Sequence, residues 1–510
     1  MILIYPPVSK PSEPPAGIAR LSGFLRHHGV KCRVLDANLE GMTYLLKSAG
    51  LFSPEAPDTW SRRALRNWPK NVASLKDRRT YAHIDRYKRA VADLNRALEV
   101  SAGDRGVTAG LANYQDSNLS PLRGRDLIRA AEIPEENPFY PYFSERLTEC
   151  IEQERPSRVG ISLNYLSQAL CSFAIAGFIK KRFPGLQVVL GGGLVTSWLR
   201  RPDWKNPFGG LVEHLIAGPG EYPLLSLLGI EGEKSNLSVP DFHDLPVHDY
   251  LSPGTVLPFS ASSGCYWHKC SFCPEKAEGN PYIAVPLKKA REDIDTLVNR
   301  MNPKLLHLLD NAISPALMRS FVENPPGLPW YGFARIDRQL TDTDFCVGLK
   351  RSGCVMLKLG IESGDQEVLD RMGKGISLDM VSLALTSLKR AGIATYVYLL
   401  FGTPYETLTE ARRTLEFTVN HSKEIDFLNL ALFNMPVSGE WTQDFEINSF
   451  YEGDLSLYTD FSHPRGWNRR QVRDFLENEF QRNSAISSIL KKDPPVFTSN
   501  HAPFFVMGTN

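Results

Sequence analysis

Residues 263–274 read Ser263-Gly264-Cys265-Tyr266-Trp267-His268-Lys269-Cys270-Ser271-Phe272-Cys273-Pro274. Three of the eight cysteines fall in this stretch, and the other five are scattered along the chain. Three thiolates on one short loop can hold one face of an iron–sulfur cluster and leave one iron open to a further ligand. Zinc is the competing metal, but zinc ligands usually come in two pairs, and His268 is awkwardly placed between two cysteines for a fourth ligand. The pattern therefore favours a cluster with an open iron.

The composition is that of an ordinary globular protein. The chain has 510 residues, with 42% hydrophobic and 23% charged residues and a net charge of +1. These values exclude a disordered or disulfide-rich chain and disfavour a basic nucleic-acid-binding surface over the whole protein. No apolar run approaches the roughly 18 residues that span a membrane. The first residues lack the basic region of a signal peptide, so we expect a cytoplasmic protein.

A series of strands and helices surrounds the cysteines and continues after them. It begins at Pro258, and the sequence predicts further strands that alternate with helices over 287–301, 314–323, 341–352, 378–391 and 406–420. The predicted strands are 304–309, 330–334, 355–360, 395–401 and 427–433. Such repeated strand–helix units predict a barrel or partial barrel of parallel strands.

A second strand–helix series precedes the cysteines. The sequence predicts strands at 2–5, 32–36, 158–163, 187–190 and 212–217, with helices at 17–29 and 166–182. Apolar strands that alternate with helices predict a doubly wound parallel sheet. Glycines lie where these strands end, at 191–193 and at 218 and 220, which favours a nucleotide-like cofactor at that edge. A nicotinamide site is disfavoured, because no G-x-G-x-x-G with a following acidic residue is present.

The remaining segments fit neither series. Residues 45–145 are rich in Arg, Lys and Asp, and we interpret them as a helical insertion without strands. The predicted organisation is thus a first domain over 1–230 with this insertion, a proline-rich linker over 231–257, a barrel over 258–440 and a C-terminal region over 441–510. The insertion and the C-terminal region are the candidates for substrate contacts.

The cysteine loop resembles the cluster loop of the radical S-adenosylmethionine (SAM) enzymes. Their usual loop has three residues between the first two cysteines and two between the last two, whereas this one has four and two. The resemblance implies that Cys265, Cys270 and Cys273 ligate a [4Fe–4S] cluster. It also implies that Phe272, just before the third cysteine, packs near the adenine of SAM.

Two later motifs extend the resemblance. Gly360-Ile361-Glu362-Ser363-Gly364, followed by Gln366, Val368-Leu369, Met372 and Lys374-Gly375, is similar to the family's fourth-strand motif, and Gly402-Thr403-Pro404-Tyr405-Glu406-Thr407 to its fifth-strand turn. Taken from the residues alone, Glu362 could equally cap a helix, Arg335 form a surface ion pair, and Glu406-Thr407 open the next helix. The contacts with SAM that the resemblance implies are Phe272, Asp310, Arg335, Glu362, Ser363, Gly402 and Pro404.

The N-terminal series resembles the cobalamin-binding domain that precedes the barrel in one subclass of this family. The similar pieces include Ile4-Tyr5-Pro6-Pro7, Pro15-Ala16-Gly17, Gly160-Ile161-Ser162 and Gly218-Pro219-Gly220-Glu221. Asp36-x-Asn38-x-x-Gly41 lacks the histidine of the motif that ligates cobalt in other cobalamin proteins and follows the wrong strand, so no histidine ligand is expected. The implied cobalamin contacts are Pro7, Gly17, Ser162, Gly191, Gly192, Gly193, Thr196, Gly218, Gly220 and Glu221.

The resemblance implies an α/β chain with a Rossmann-like cobalamin-binding domain, a (βα)6 partial barrel, a helical insertion and a small C-terminal region. It implies an enzyme that uses a [4Fe–4S] cluster, SAM and cobalamin, with methyl transfer to an unactivated carbon through a 5′-deoxyadenosyl radical as its commonest outcome. Cyclisation or rearrangement, loss of cobalamin, and a metal-binding protein without catalysis stay open as alternatives. An external electron donor of the flavodoxin or ferredoxin type is expected, and the sequence does not identify the substrate.

Overall fold

The computed structural model describes residues 1–52, 58–103, 106–231, 238–448, 453–495 and 501–506, and these residues form two compact units. The first unit contains residues 1–256 with 453–457 and 494–495. The second contains residues 257–448, 458–493 and 501–506. None of the helices in these ranges combines the length and apolar composition that crossing a bilayer requires.

The first unit is built on a parallel sheet. In the described residues its five strands are β1 (Ile2–Tyr5), β2 (Arg33–Asp36), β3 (Arg158–Ser162), β4 (Gln187–Gly191) and β5 (His214–Leu215). Their order is β2-β1-β3-β4-β5, so the chain reverses direction across the sheet between β1 and β3. This is the order of a doubly wound sheet, as the sequence predicts. Buried aliphatic residues dominate the strands because helices can cover both faces.

Helices occupy most of the rest of the first unit. Their bounds are Ala16–His27, Ala37–Phe52, Thr59–Lys76, Ile84–Ala102, Gly124–Glu132, Tyr140–Glu154, Leu166–Arg182, Gly193–Leu199 and Glu221–Leu227, with short 3₁₀ turns at Arg78–Ala82 and Pro134–Glu136. The predicted insertion is integral to this unit. A Cβ on Gly177 would lie 1.9 Å from the carbonyl oxygen of Ala131, so two of the helices touch backbone to backbone.

Two predictions for the first unit are wrong in detail. The insertion also contains an antiparallel hairpin, Val107–Ala109 with Tyr114–Asp116. Strands of three residues are too short to show an alternating pattern, so the sequence did not reveal them. The strand predicted at 212–217 shrinks to His214–Leu215 at the edge of the sheet, where it has a neighbour on one side only.

The second unit contains a parallel sheet in sequential order. Its six described strands are β6 (Val256–Phe259), β7 (Leu305–Leu308), β8 (Trp330–Ala334), β9 (Cys354–Glu362), β10 (Ala394–Phe401) and β11 (Phe427–Leu432), each paired with the next. The rings of Phe333 on β8 and Tyr398 on β10 approach to 5.0 Å across β9, where Gly360 has no side chain. Rings two strands apart meet most easily on the concave face of a curved sheet, which agrees with the predicted (βα)6 partial barrel.

The helices of the second unit agree closely with the predicted ones. They are Pro274–Ala277, Leu287–Met301, Pro315–Glu323, Thr343–Arg351, Gln366–Arg371, Leu378–Ala391, Leu408–Asn420, Arg469–Phe475, Ser484–Leu490 and Pro503–Val506, with a 3₁₀ turn at Glu440–Gln443 and a π turn at Leu476–Phe480. Short strands form a pair, Ser262–Ser263 with Ile283–Ala284, and a small sheet of Met435–Pro436, Tyr458–Phe461 and Ile447–Asn448.

A buried carboxyl group closes the turn after β10. Oε2 of Glu406 accepts a hydrogen bond of 2.5 Å from the backbone N–H of Gly402, and the residue is fully buried. Burial raises the pKa of Glu406 to about 8. Thr407, and not Glu406, opens the next helix, because its side chain caps Leu408–Asn420 in a capping box with Glu410.

This carboxyl group makes stability depend on pH. Between about pH 4.5 and 8 folded Glu406 keeps a proton that the unfolded chain has lost, so the free energy of unfolding falls as pH rises through that range. Each pKa unit is worth about 1.4 kcal/mol. We expect Glu406→Gln, which cannot ionise, to remove this slope in urea unfolding at pH 5.5 and 8.5. The exposed Glu416→Gln is the control; equal slopes in the wild type and Glu406→Gln would contradict the prediction.

Candidate functional site

The cysteine loop lies between the strand Ser262–Ser263 and the helix Pro274–Ala277. Cys265, Cys270 and Cys273 are all half-buried and free. Between the first two cysteines the chain turns back at His268, whose φ of 48° is left-handed. This turn accommodates the gap of four residues and leaves His268 exposed.

The thiols lie in a mixed environment. Burial raises the pKa of the Cys270 thiol, while the positive charges of Lys374 and Arg335 oppose that rise. Burial also raises the pKa of Cys273 to about 11. The neighbouring thiol contributes to the raised pKa in both cases: Cys265 contributes at Cys270, and Cys270 contributes at Cys273.

These residues fit an iron–sulfur cluster by their chemistry. In the described part of the chain, no group of three or more His, Cys, Asp or Glu side chains is arranged to hold a metal ion. A cubane cluster, however, takes each thiolate on a different iron, so its ligands need not converge on one point. Three free cysteines on one loop, with cationic side chains beside them, supply the thiolates and the compensating charge that a cluster requires.

Residues 372–375, here called the support segment, hold the cysteine loop. The backbone N–H and the hydroxyl of Ser271 both donate to the carbonyl of Met372, at 3.0 and 3.1 Å. The indole N–H of Trp267 donates to the carbonyl of Gly373 at 3.0 Å. The loop is therefore anchored by hydrogen bonds within the chain.

Arg335 joins the same assembly. Its guanidinium stacks 3.7 Å from the centre of the Trp267 ring and donates to the carbonyl oxygens of Lys374 and Gly375, the latter at 2.9 Å. Burial lowers the pKa of Arg335. Arg335 is therefore half-buried and bonded to backbone carbonyls, unlike the surface ion pair that was the alternative prediction from the sequence.

Glu362 ends β9 in an unusual backbone conformation. Its φ is 73°, and the pairing with β10 shifts register between Gly360 and Glu362. Oε1 of Glu362 accepts from Nζ of Lys374 at 2.9 Å, with 14% and 10% of the two side chains exposed. The helix-capping alternative for Glu362 is wrong, because Asp365 caps Gln366–Arg371.

Three other predicted SAM contacts lie in different surroundings. The ring of Phe272 lies 5.7 Å from the ammonium of Lys374, close to the paired Glu362. Asp310 is buried, and its carboxylate accepts from the N–H of Ala261 and the hydroxyl of Ser262. Ser363 is also buried, with its hydroxyl 3.2 Å from that of Thr414. Of these three, only Phe272 contacts the support segment.

Gly402 and Pro404 lie in the turn that Glu406 closes. A segment of the C-terminal region covers this turn: Nε2 of His463 lies 3.0 Å from the carbonyl of Thr403. Nδ1 of His463 accepts from two backbone N–H groups, so Nε2 carries the proton and donates. Gly402 also borders a cavity of about 20 Å³, enough for one water molecule.

The predicted cobalamin contacts belong to the first unit. Gly191, Gly192 and Gly193 end β4 and begin the helix Gly193–Leu199. The hydroxyl of Thr196 donates to the carbonyl of Gly192 and accepts from the N–H of Gly218, both at 2.9 Å. This one side chain therefore ties together the glycines that follow β4 and β5.

Glycine occupies the positions at this edge for different reasons. A Cβ at Gly192 would lie 2.3 Å from the carbonyl of Leu163, so the fold itself requires glycine there. A Cβ at Gly17 or Gly218 would meet nothing within 4 Å. Those two positions leave open backbone surface, which fits a broad flat ligand.

The other predicted cobalamin contacts also lie at or after the carboxyl ends of strands of this sheet. Ser162 ends β3, Pro7 follows β1 and Gly220 precedes the helix Glu221–Leu227. Glu221 is buried in a 2.5 Å ion pair with Arg20. Asp36, from the rejected cobalt motif, is also engaged: it accepts from the hydroxyl of Tyr250 at 2.6 Å, and burial raises its pKa to about 6.

Two features of the second unit were not predicted from the sequence. Lys358 on β9 is 2% exposed, and its ammonium lies 3.2 Å from Nε2 of His307 and about 5 Å from the rings of Tyr331 and Phe333. The second is the support segment, which appeared in the sequence only as part of a motif. A lysine in the middle of an apolar strand, and a lysine between two glycines, are the signals that could have revealed them.

Comparison with known proteins gives distant matches. No protein-family model matches the chain. An uncharacterized methyltransferase of Pyrococcus horikoshii is 23% identical over 307 residues, 53% of this chain and 66% of that protein. The anaerobic magnesium-protoporphyrin IX monomethyl ester cyclase of Rubrivivax gelatinosus is 22% identical over 280 residues, 52% of this chain and 48% of that protein. The chain thus spans about half to two thirds of the length of these relatives.

Solved structures give broader coverage. The radical SAM methyltransferase TsrM from Kitasatospora setae, with tryptophan and the analogue aza-SAM bound, has a TM-score of 0.50 at 16% identity over 85% of this chain and 73% of that chain. The cobalamin-dependent SAM radical enzyme OxsB has a TM-score of 0.49 at 13% identity over 63% and 57%. The predicted α/β architecture is confirmed: the chain has the fold of the radical SAM methyltransferase TsrM.

Proposed function

We propose that this chain is a cobalamin-dependent radical SAM methyltransferase that acts on an unactivated carbon. The observation that carries the proposal is the assembly in the second unit. Three free cysteines lie on a loop that is hydrogen-bonded to the segment beside Glu362, at the end of a parallel strand. Catalytic groups in such sheets come from the carboxyl ends of the strands.

The residues of the chain have distinct proposed tasks. Cys265, Cys270 and Cys273 hold the cluster, and Glu362 receives a donor group of SAM, its amino group or a ribose hydroxyl. The ring of Phe272 offers an apolar surface to the adenine. When bound, the cluster and SAM together supply a 5′-deoxyadenosyl radical, and methylcobalamin supplies the methyl group.

For cobalamin we propose the glycine edge of the first unit, around Gly191–Gly193, Thr196 and Gly218. The open positions at Gly17 and Gly218 support this proposal, since side chains there would cover the backbone. Cyclisation or rearrangement stays the second candidate, because one relative is named a cyclase. The methyltransferase name of the other relative favours methyl transfer.

The proposed reaction also needs an electron donor and a substrate. Reduction of the cluster needs an external one-electron donor, and we propose a flavodoxin- or ferredoxin-like protein in the cytoplasm. The exposed tip of the cysteine loop at His268 and Lys269 supports electron entry close to the cluster. The insertion and the C-terminal region remain the proposed sources of substrate specificity.

The cluster ligands can be tested by substitution. Changing Cys265, Cys270 and Cys273 together to Ala should abolish the iron–sulfur absorbance after anaerobic reconstitution, because no thiolates remain on the loop. It should also abolish 5′-deoxyadenosine formation. Replacing the buried Cys346 and Cys354 by Ala is the control and should leave iron content unchanged. A triple variant that retains a full cluster's iron would refute the assignment, and a colourless zinc-loaded wild type would support the alternative metal.

Glu362 can be tested with the isosteric Glu362→Gln. The variant keeps the size of the side chain but loses its charge. We therefore expect an intact cluster and SAM binding that is about 10- to 100-fold weaker, because one charge-assisted hydrogen bond contributes roughly 1.5–3 kcal/mol. Calorimetry on the reconstituted protein measures this affinity. The exposed Glu367→Gln serves as the control, and unchanged affinity in Glu362→Gln would remove Glu362 from the SAM site.

Cobalamin should bind without a nitrogen ligand from the protein. The loop after β1, Pro6 to Pro15, contains no histidine, and its polar side chains are Ser9, Lys10, Ser12 and Glu13, poor ligands for cobalt. The glycine-bearing strand ends at 191–193 and 218–220 would admit the nucleotide tail of cobalamin, so we also expect its lower base to be detached from the metal. The paramagnetic resonance spectrum of bound Co(II) cobalamin should lack nitrogen superhyperfine splitting, and such splitting would contradict the prediction.

A further inference from the structure

We propose that the support segment, residues 372–375, is a built-in brace for the cysteine loop. We further propose that Lys374 is a positioning residue that fixes Glu362 and places a positive charge beside the cluster. The charge part of this inference rests on the proposed function, whereas the brace can be examined in the protein without any cofactor.

The brace is made of backbone carbonyl groups. Those of Met372 and Gly373 accept from Ser271 and Trp267 of the loop, and those of Lys374 and Gly375 accept from Arg335, which itself stacks on Trp267. The first two carbonyls thus hold the loop directly, and the next two hold Arg335 against the Trp267 ring. Because backbone carbonyls accept these hydrogen bonds, the side chains of the support segment do not by themselves predict the contacts.

Glycines let the two segments come this close. Gly373 and Gly375 have φ values of 64° and 65°, in the left-handed region. A Cβ at Gly375 would lie 2.2 Å from the ring of Trp267, and one at Gly373 would lie 2.8 Å from the carbonyl of Lys269. Both glycines therefore meet the cysteine loop itself, which ties the Gly-Lys-Gly pattern to the loop rather than to the turn alone.

Lys374 connects the brace to both parts of the site. Its ammonium donates to Glu362 at 2.9 Å and lies 5.7 Å from the ring of Phe272. Phe272 immediately precedes the proposed cluster ligand Cys273 in the loop. One nearly buried cation therefore lies beside a proposed SAM contact and beside the loop that carries the proposed cluster ligands.

A charge in this position affects reduction of the cluster. Three thiolates give the cluster negative charge, and the electron that enters adds another, with no bond of the chain made or broken. A fixed cation nearby stabilises the more negative form, and Glu362 acts in the opposite sense. Removing Lys374 should therefore lower the midpoint potential, while removing the charge of Glu362 should raise it.

The brace is tested on the protein without cofactors. Hydrogen exchange in residues 264–273 should accelerate in Gly375→Ala and in the milder Trp267→Phe, which loses only the indole N–H. Trp60→Phe is the control, because it loses an indole N–H bond to Asp93 in the first unit. Unchanged exchange in the loop of both test variants would overturn the brace.

The charge is tested on the reconstituted protein by paramagnetic resonance during a redox titration. We expect a lower midpoint potential in Lys374→Met and a higher one in Glu362→Gln. The double variant should have a midpoint potential near that of the wild type, and Lys374→Arg should restore the wild-type potential. The iron content should be unchanged in all four variants. Shifts in the same direction for both single variants, or no shift, would overturn the inference. If the wild type takes up no cluster, the proposed function fails, and the exchange experiment still decides the brace.

Discussion

The hydrogen bonds between the cysteine loop and the carbonyls of Met372 and Gly373 are the interaction on which the site of the second unit depends. A loop without regular structure has backbone and side-chain donors that must find partners when they are half-buried. Here Ser271 and Trp267 find them on the support segment, which also carries Lys374. The contacts that hold the loop therefore also fix the charged pair beside it.

The parallel sheets explain why chemistry-bearing residues distant in sequence lie at the ends of strands. In the first unit β3 and β4 end at Ser162 and Gly191, and Thr196 bonds the glycines after β4 and β5 to each other. In the second unit Glu362 is the last residue of β9. In open parallel sheets the crevice that receives a ligand lies outside the carboxyl ends of the strands, so functional residues accumulate there.

Residue type and spacing predicted the strands, the order of the two series and the cysteine loop, because these depend on local pattern. Arg335 shows where such reasoning stops: the sequence offered it as a SAM contact or a surface ion pair and gave no sign that it stacks on Trp267 and bonds carbonyl groups. Ser363 is similar, since its hydroxyl meets Thr414 on a helix about fifty residues later. The three-residue hairpin strands at 107–109 and 114–116 carry too little pattern to be recognised. Each of these outcomes depends on tertiary neighbours that one sequence does not display.

The two glutamates of the recognised motifs show why burial alone does not mark a functional group. Glu406 is fully buried, and burial raises its pKa so far that the group retains its proton near neutral pH. It bonds the N–H of Gly402 and serves the turn. Glu362 is instead paired with Lys374, and both side chains keep some exposure, so an incoming ligand can reach them. Because a carboxylate can accept several hydrogen bonds, an ammonium or hydroxyl donor of a ligand can join Lys374 at Glu362, whereas the enclosed carboxyl of Glu406 offers no such access.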